Sequence, residues 1–419
     1  DAAAYENHVK GILLGSAVML IASRLRPEAR NRLHRYQYVW ALSAILLTTG
    51  LFLFGSGPQG VRLNLFHFQP VELIKILLVL FLASYLSERG NLIADTTPRP
   101  KAKHKIPFLA SLPAKQDIAP LLVMYGFALA LFVVVRDMGP GIVLFGTFLC
   151  VMYLLTGRVS FVVLGMVLLL SGGYFAYKAH FGVLPTRVDM WLNPFVNSHA
   201  NGMQLAQGYW GMATGGFEGS GLGLGLPNSI PRGGSDFAFA SWAEETGLIG
   251  AWFTILLYGV VIWRGLRISL EAKSDFDRNL GFGLILLLGI QTLLILAGVT
   301  GLFPLSGISL PFLSYGNSAL VAHFFTIGVL RGIAAGSRSS KESTVPPVIP
   351  PTPRRFFPGC SCCSVPPPPS PTATSRRSVA ISKRRNCRSA ACARRCSRRR
   401  ISACGACCCR RATSPKFRS

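Results

Sequence analysis

The chain has 419 residues, of which 50% are hydrophobic and 14% charged, and its mean hydropathy is +0.42. Such a composition excludes an ordinary soluble globule, in which about a quarter of the residues carry charge. The formal charge of +26 does not point to nucleic acid either: from Gly336 onward there are 19 Lys or Arg against the single acid Glu342, so most of the excess sits in the tail.

Apolar runs long enough to cross roughly 30 Å of hydrocarbon as helices recur along the first 335 residues. Nine are predicted, near 10–24, 38–56, 71–87, 118–135, 140–156, 159–178, 247–265, 281–302 and 316–334, the first of them short. The expected fold is an all-α polytopic membrane protein with a large extracytoplasmic loop over about 179–246 and a disordered C-terminal tail over 336–419. The connections "SRLRPEARNRLHR", "PRPKAKHK" and "WRGLRISLEAKSDFDRN" are basic and fall on one side if all nine spans exist. Lys and Arg collect on the cytoplasmic side, which places the tail inside and the long loop outside. The chain starts at Asp1 without an initiator methionine or signal-peptide pattern; a further helix ahead of it is expected, giving ten spans and two cytoplasmic termini.

Polar groups stand out against this background. In "FHFQPVELIKILLVLFLASYL", Glu72 and Lys75 lie three residues apart on one helical face. Unpaired charges in a bilayer cost several kcal/mol, so the two either pair near the outer helix end or line a polar cavity opening outward. Pro70, preceded by Gln69, fits a helix start. In "VVVRDMGPGIVLF", Arg136 and Asp137 fit an interfacial turn closed by an ion pair. The long loop carries Arg187, Gln204, Gln207 and many glycines, and long ordered loops are commonly functional. Its "GSGLGLG" run is not a nucleotide fingerprint, since neither a preceding strand nor a following Lys-Ser/Thr accompanies it; glycines there serve tight turns and close backbone approach. Asp236, at the loop's end, either caps the next helix together with Ser235 or does chemistry. The tail lacks hydrophobic periodicity. Its cysteines, ten of the chain's eleven, do not form the two separated pairs of a structural zinc site, and its Arg, Ala, Pro, Ser and Cys richness also matches an out-of-frame reading of GC-rich DNA, so no function is assigned to it.

Together these segments resemble the SEDS family of cell-shape, division and sporulation proteins (FtsW, RodA, SpoVE). "FQPVELIKILLVLFLASYL" is similar to the family's FQPSEL-K segment, "RDMGPGIVLF" to its PDLGTA-type turn, and "GYWGMATGGFEGSGLGLG" to its Q-S and SGG-x-x-G-x-GLG loop. "SDFAFASWAEETGLIG" resembles the TDFIF-x-x-x-GEELG box, and "FPLSGISLPFLSYGNSALVAHFFTIGVL" the PLTGIPLPFISYGGSS segment. The chain departs from the pattern at Val71, Gly208, Ala243, Thr246 and Asn317.

The resemblance implies a peptidoglycan glycosyltransferase that polymerises lipid II on the outer face of the bacterial cytoplasmic membrane. It also implies a class B penicillin-binding protein as transpeptidase partner, within a divisome or elongasome. Asp236 matches the family's essential acid, and Glu72 and Lys75 the acid and base of its fourth helix. Substrate contacts are further expected from Arg136, Asp137, Arg187, Gln204, Gln207, Glu245, Ser314 and Tyr315. The chemistry would have Asp236 take the proton of the acceptor C4 hydroxyl as it attacks the donor's anomeric carbon, with inversion and loss of undecaprenyl pyrophosphate. Burial beside Phe237, Phe239 and Trp242 would tune the base. Lys75, Arg136, Arg187 or a divalent cation, Mg or Mn, would balance the leaving charge. The alternatives are a flippase for lipid-linked precursors, which needs the membrane charges but not Asp236, and a non-catalytic scaffold for a transpeptidase.

Overall fold

The computed structural model describes residues 2–56, 69–94, 126, 139–180, 182–195, 203–226 and 229–343. The predicted span at 118–135, the turn carrying Arg136 and Asp137, and the tail from 344 onward lie outside these residues. Eleven helices are described: α1 (Ala2–Ser23), α2 (Pro27–Arg35), α3 (Gln37–Phe54), α4 (Pro70–Ala94), α5 (Gly139–Thr156), α6 (Val159–Lys178), α7 (Leu184–Leu192), α8 (Met203–Gly215), α9 (Ala238–Leu270), α10 (Asp275–Val299) and α11 (Asn317–Ser343). There is no β-strand among the described residues, as expected where lipid cannot hydrogen-bond an open backbone.

The protein is an all-α polytopic membrane protein. Eight of the nine predicted spans coincide with helices. Seven of these, α3, α4, α5, α6, α9, α10 and α11, are long and apolar enough to cross a bilayer, and α1 joins the polar α2 in a pair bent by 94°. The first helix is longer than its apolar run, beginning at Ala2.

Burial sorts the helices into an axis and a rim. In α4, 89% of the apolar window is buried, against 6% in α6, so α4 is the centre and α6 faces lipid. Helices α3, α5, α10 and α11 pack around α4. On the rim, α1 lies along α11 at a separation only small residues permit, since a Cβ on Gly328 would sit 2.6 Å from the Met19 carbonyl oxygen. On the side carrying the basic connections, Ser274 caps α10 by accepting from the Asp277 N–H at 3.0 Å. Buried Arg30 of α2 donates to both carboxylate oxygens of Asp277 at 2.8 and 3.0 Å, fixing the bend after α1.

The long connection over 179–246 is not the loop the sequence suggests. Much of it folds into α7, α8 and the first turns of α9. The predicted span beginning at 247 starts at a break inside α9, where Gly247 has φ 66° and ψ −169°. A break in a helix leaves amides and carbonyls unpaired. Here the Gly-rich stretch "GGFEGSG" supplies the partners. Leu248 and Ile249 donate to the carbonyls of Gly216 and Phe217, while Ser220 and Gly221 donate to those of Glu244 and Glu245, all at 3.0–3.4 Å. The close backbone approach expected of these glycines is therefore made to the protein's own broken helix. A Cβ at Gly247 would lie 2.4 Å from the Gly219 nitrogen, in a conformation side chains rarely adopt. Gly247→Ala is expected to destabilise the fold by roughly 1–3 kcal/mol, measured as a lower thermal midpoint of the purified protein in detergent; an unchanged midpoint would contradict this account of the break.

Candidate active site

Two polar centres meet at the end of the bundle away from the basic connections. The first begins on α4, where Pro70 starts the helix and places Glu72 in its first turn. Lys75, one turn on, has no exposed surface, and Glu72 is 6% exposed. The ammonium contacts both oxygens of the Glu72 carboxylate at 2.9 and 2.8 Å and donates to Gln291 Oε1 of α10 at 2.8 Å. The pairing expected from the sequence is thus present, and the cavity expected beside it is present in altered form. Glu72 and Ser318 form one polar end of a cavity of about 700 Å³. Most of the wall is apolar, from Leu73, Ile76, Leu77, Val321 and Phe325 among others, with Arg30 and Arg32 at the other end. Lys75 does not reach it.

The second centre is the turn that carries Asp236. Arg232 takes a left-handed conformation, φ 57°, so that its carbonyl accepts from the amides of both Ser235 and Phe237. Phe237, fully buried, anchors the turn against α8. Its ring lies 2.8 Å from where a Cβ on Gly208 would be, which accounts for glycine replacing the serine of the Q-S pattern. The capping expectation is not met. Phe237 occupies the N-cap of α9 with no side-chain cap, and the Asp236 carboxylate instead accepts from Arg232 Nη1 at 3.2 Å. The expected aromatic setting is also corrected: Phe239 is buried in the core and the Trp242 indole donates to Thr254 at 2.9 Å, leaving the Arg232 guanidinium as the charged partner of the acid.

The segment 309–315, between α10 and α11, joins the two centres. Gln291 Nε2 donates to the Ser309 carbonyl at 2.9 Å, and the N–H of that same peptide unit, from Leu310, donates to Ser314 Oγ at 2.7 Å. The Ser314 hydroxyl donates in turn to the Ser235 carbonyl at 2.6 Å, and the Tyr315 N–H donates to the Gly234 carbonyl at 2.6 Å. An unbroken series of hydrogen bonds therefore runs from Glu72 through Lys75, Gln291 and Ser314 to the peptide bond that ends at Asp236. Tyr258 of α9 also donates to the Pro311 carbonyl, pinning the segment from below.

The remaining predicted site residues divide clearly. Ser314 and Tyr315 hold the backbone of the Asp236 turn. Arg187 donates to the Ser306 carbonyl at 2.6 Å and so ties α7 to the chain after α10. Glu245 is placed structurally, its carboxylate accepting from the Gly223 N–H at 3.1 Å, as Glu244 accepts from Leu226 N–H. Gln204 and Gln207 lie on α8, and the buried Gln207 Oε1 has no hydrogen-bond partner among the described residues. Arg136 and Asp137 lie outside the described residues.

Three participants were missed. Arg232 stands four residues before Asp236, a spacing that pairs side chains on a helix, whereas here a left-handed turn brings them together. Gln291, with Thr292 beside it, interrupts the apolar run "LILLLGIQTLLILAG", a signal available in the sequence. His323 of α11 is buried with no hydrogen-bond partner for Nε2 among the described residues, and nothing in its apolar surroundings on the chain announces it.

Residues 4–339 match the family of cell cycle proteins comprising FtsW, RodA and SpoVE. The chain belongs to this family. It is 34% identical over 333 residues to the peptidoglycan glycosyltransferase RodA of Mycobacterium bovis, covering 78% of this chain and 69% of that one. Its fold is similar to RodA of Thermus thermophilus, with a TM-score of 0.55 at 22% identity over 80% of this chain and 88% of that one. It is also similar to a chain of a peptidoglycan synthase complex described as coordinating polymerisation and crosslinking, with a TM-score of 0.63 at 23% identity over 80% and 90%.

For this FtsW, RodA and SpoVE relative, the buried ion pair makes a definite demand. Removing one partner strands a charge, typically at a cost of about 3–5 kcal/mol. Lys75→Met and Glu72→Gln are each expected to lower the thermal midpoint sharply, and the double variant less than the sum of the two, in a double-mutant cycle; additive losses would mean that the pair is not coupled.

Proposed function

We propose that this chain is a peptidoglycan glycosyltransferase that polymerises lipid II at the outer face of the bacterial cytoplasmic membrane, with Asp236 as general base. Membership of the family and the names of its curated relatives support the enzyme class. The observation that carries the assignment of the base is the placement of Asp236. Its backbone is fixed through Ser314 and Tyr315, while its carboxylate stays partly exposed at the end of the bundle beside the exposed Arg232 side chain. A base must be held in place yet reachable by the hydroxyl it deprotonates.

In this reading the acceptor C4 hydroxyl loses its proton to Asp236 as its oxygen bonds to the donor's anomeric carbon. The bond to the undecaprenyl diphosphate breaks on the opposite face, giving inversion without a second carboxylate. Arg232 takes the role expected of Lys75 or Arg187: Lys75 is buried and committed to Glu72 and Gln291, and Arg187 donates to Ser306. Its guanidinium, 44% exposed, can turn from Asp236 to the departing diphosphate. Among the described residues no three His, Cys, Asp or Glu side chains converge as metal ligands, and no step is drawn through a divalent cation. The apolar cavity with Glu72 at its polar end suits a lipid-linked substrate. The transferase body is assigned to residues 1–335, although α11 carries the helix on to Ser343 rather than ending there as expected, and the partner is a class B penicillin-binding protein.

Polymerisation of labelled lipid II by the purified protein with its transpeptidase tests the assignment. Asp236→Ala and Asp236→Asn are expected to abolish product while the thermal midpoint is kept; undiminished product in both would remove Asp236 from the mechanism. Arg232→Ala is expected to slow polymerisation by about 10²-fold, the loss typical of a transition-state charge partner, with Arg232→Lys between it and the unmodified protein. Equal rates for all three would exclude the leaving-group role.

A further inference from the structure

A second cavity, of about 510 Å³, lies between α9 and α11 at the opposite end of the bundle from Asp236. Counting from the break at Gly247, its first basic residue lies about 25 Å along α9 at 1.5 Å per residue, close to the thickness of a hydrocarbon core. The lining is ordered by chemistry along the helices. Val260, Val261 and Ile327 wall its deep part, and Arg264, Arg267 and Arg331 stand toward the helix ends with Glu271 as the acid among them. Trp263, exposed on α9, marks the interface level, and the Arg267 guanidinium lies 4.8 Å from its ring centroid. All three arginines are exposed, and none forms an ion pair among the described residues.

An apolar cleft surmounted by three cations on two helices has the charge order of a phospholipid turned over: acyl chain below, phosphate above. We propose that this cleft binds an anionic phospholipid of the cytoplasmic leaflet, with its phosphate held by Arg264, Arg267 and Arg331 and one acyl chain against Val260 and Ile327. Guanidinium groups bind phosphate bidentately and lose less on leaving water than ammonium does. Basic pockets between membrane helices on the cytoplasmic side take such headgroups. A neutral headgroup would leave three positive charges facing one acid. A free phosphate would leave the apolar wall unused. The site is separate from the polymerising centre and stands independently of the function proposed for that centre.

The test uses the full chain purified in detergent, titrated with phosphatidylglycerol, phosphatidylcholine or inorganic phosphate, and read by native mass spectrometry and by the shift of the thermal midpoint. Phosphatidylglycerol is expected to bind and raise the midpoint, phosphatidylcholine to bind at least tenfold more weakly, and inorganic phosphate not to compete. The variant R264Q/R267Q/R331Q is expected to lose about 10²-fold in affinity for phosphatidylglycerol, roughly fivefold per arginine. Val260→Trp, which fills the cleft and keeps every charge, is expected to lose the bound lipid as well, and it decides the matter should the triple variant fold poorly. Equal binding of both lipids, unchanged binding in either variant, or displacement by inorganic phosphate at the lipid's own concentration would overturn the proposal, the last outcome identifying a site for soluble anions.

Discussion

The structure depends on the need to keep one lysine neutralised inside a membrane. Lys75 sits in the most buried helix with no surface at all, and a charge in that position is tolerated only if other groups replace its water. Glu72 supplies the countercharge and Gln291 a neutral acceptor, so two helices must keep a fixed register before the bundle can close. Because the amide of Gln291 has its own N–H to satisfy, the requirement passes onward to the Ser309 carbonyl and the segment beyond it. The Asp236 turn inherits its position from that obligation. What looks like two sites, one inside the membrane and one outside, is one hydrogen-bonded system with charge at both ends.

The acids at the opposite end of the motif follow the same logic with a different purpose. Glu244 and Glu245 sit where α9 breaks, and both their carbonyls and their carboxylates are taken by the Gly-rich stretch. Glycine is used there because backbone must reach backbone. The stretch converts an energetic defect, a helix interrupted next to the membrane, into a junction with its hydrogen bonds filled. Three acids within ten residues therefore divide into one left partly exposed beside Arg232 and two committed to the architecture of the break.

Much of this was legible in the sequence, and what was not has physical causes. Apolar runs fixed the helices well, since a bilayer leaves a continuous chain few alternatives. The three-residue spacing of Glu72 and Lys75 announced their pairing, because neighbours on a helix face depend on local geometry alone. Gln291 escaped notice because its partner is 216 residues away in the chain. Glu245 was placed with the substrate since nothing in "WAEETGLIG" shows that the helix breaks at Gly247; the break is stable only with residues 216–221 laid against it. The link of Arg232 to Asp236 depends on a left-handed turn at a non-glycine residue, which local sequence rules disfavour. In each case the missing information was tertiary.

The break at Gly247 also separates two mechanical duties within one chain segment. Before it, α9 packs on α8 and follows the turn that Ser314 holds, while the glycine stretch bonds both sides of the break. After it, the helix presents Trp252, Phe253, Leu256 and Leu257 to lipid and must follow the bilayer. Membranes differ in thickness by several ångströms, and spanning helices respond by tilting. An uninterrupted 33-residue helix would lever that tilt directly into the turn holding Asp236. With the axis broken at Gly247, the membrane half takes a direction of its own, and no single straight helix runs from the lipid into the turn holding Asp236.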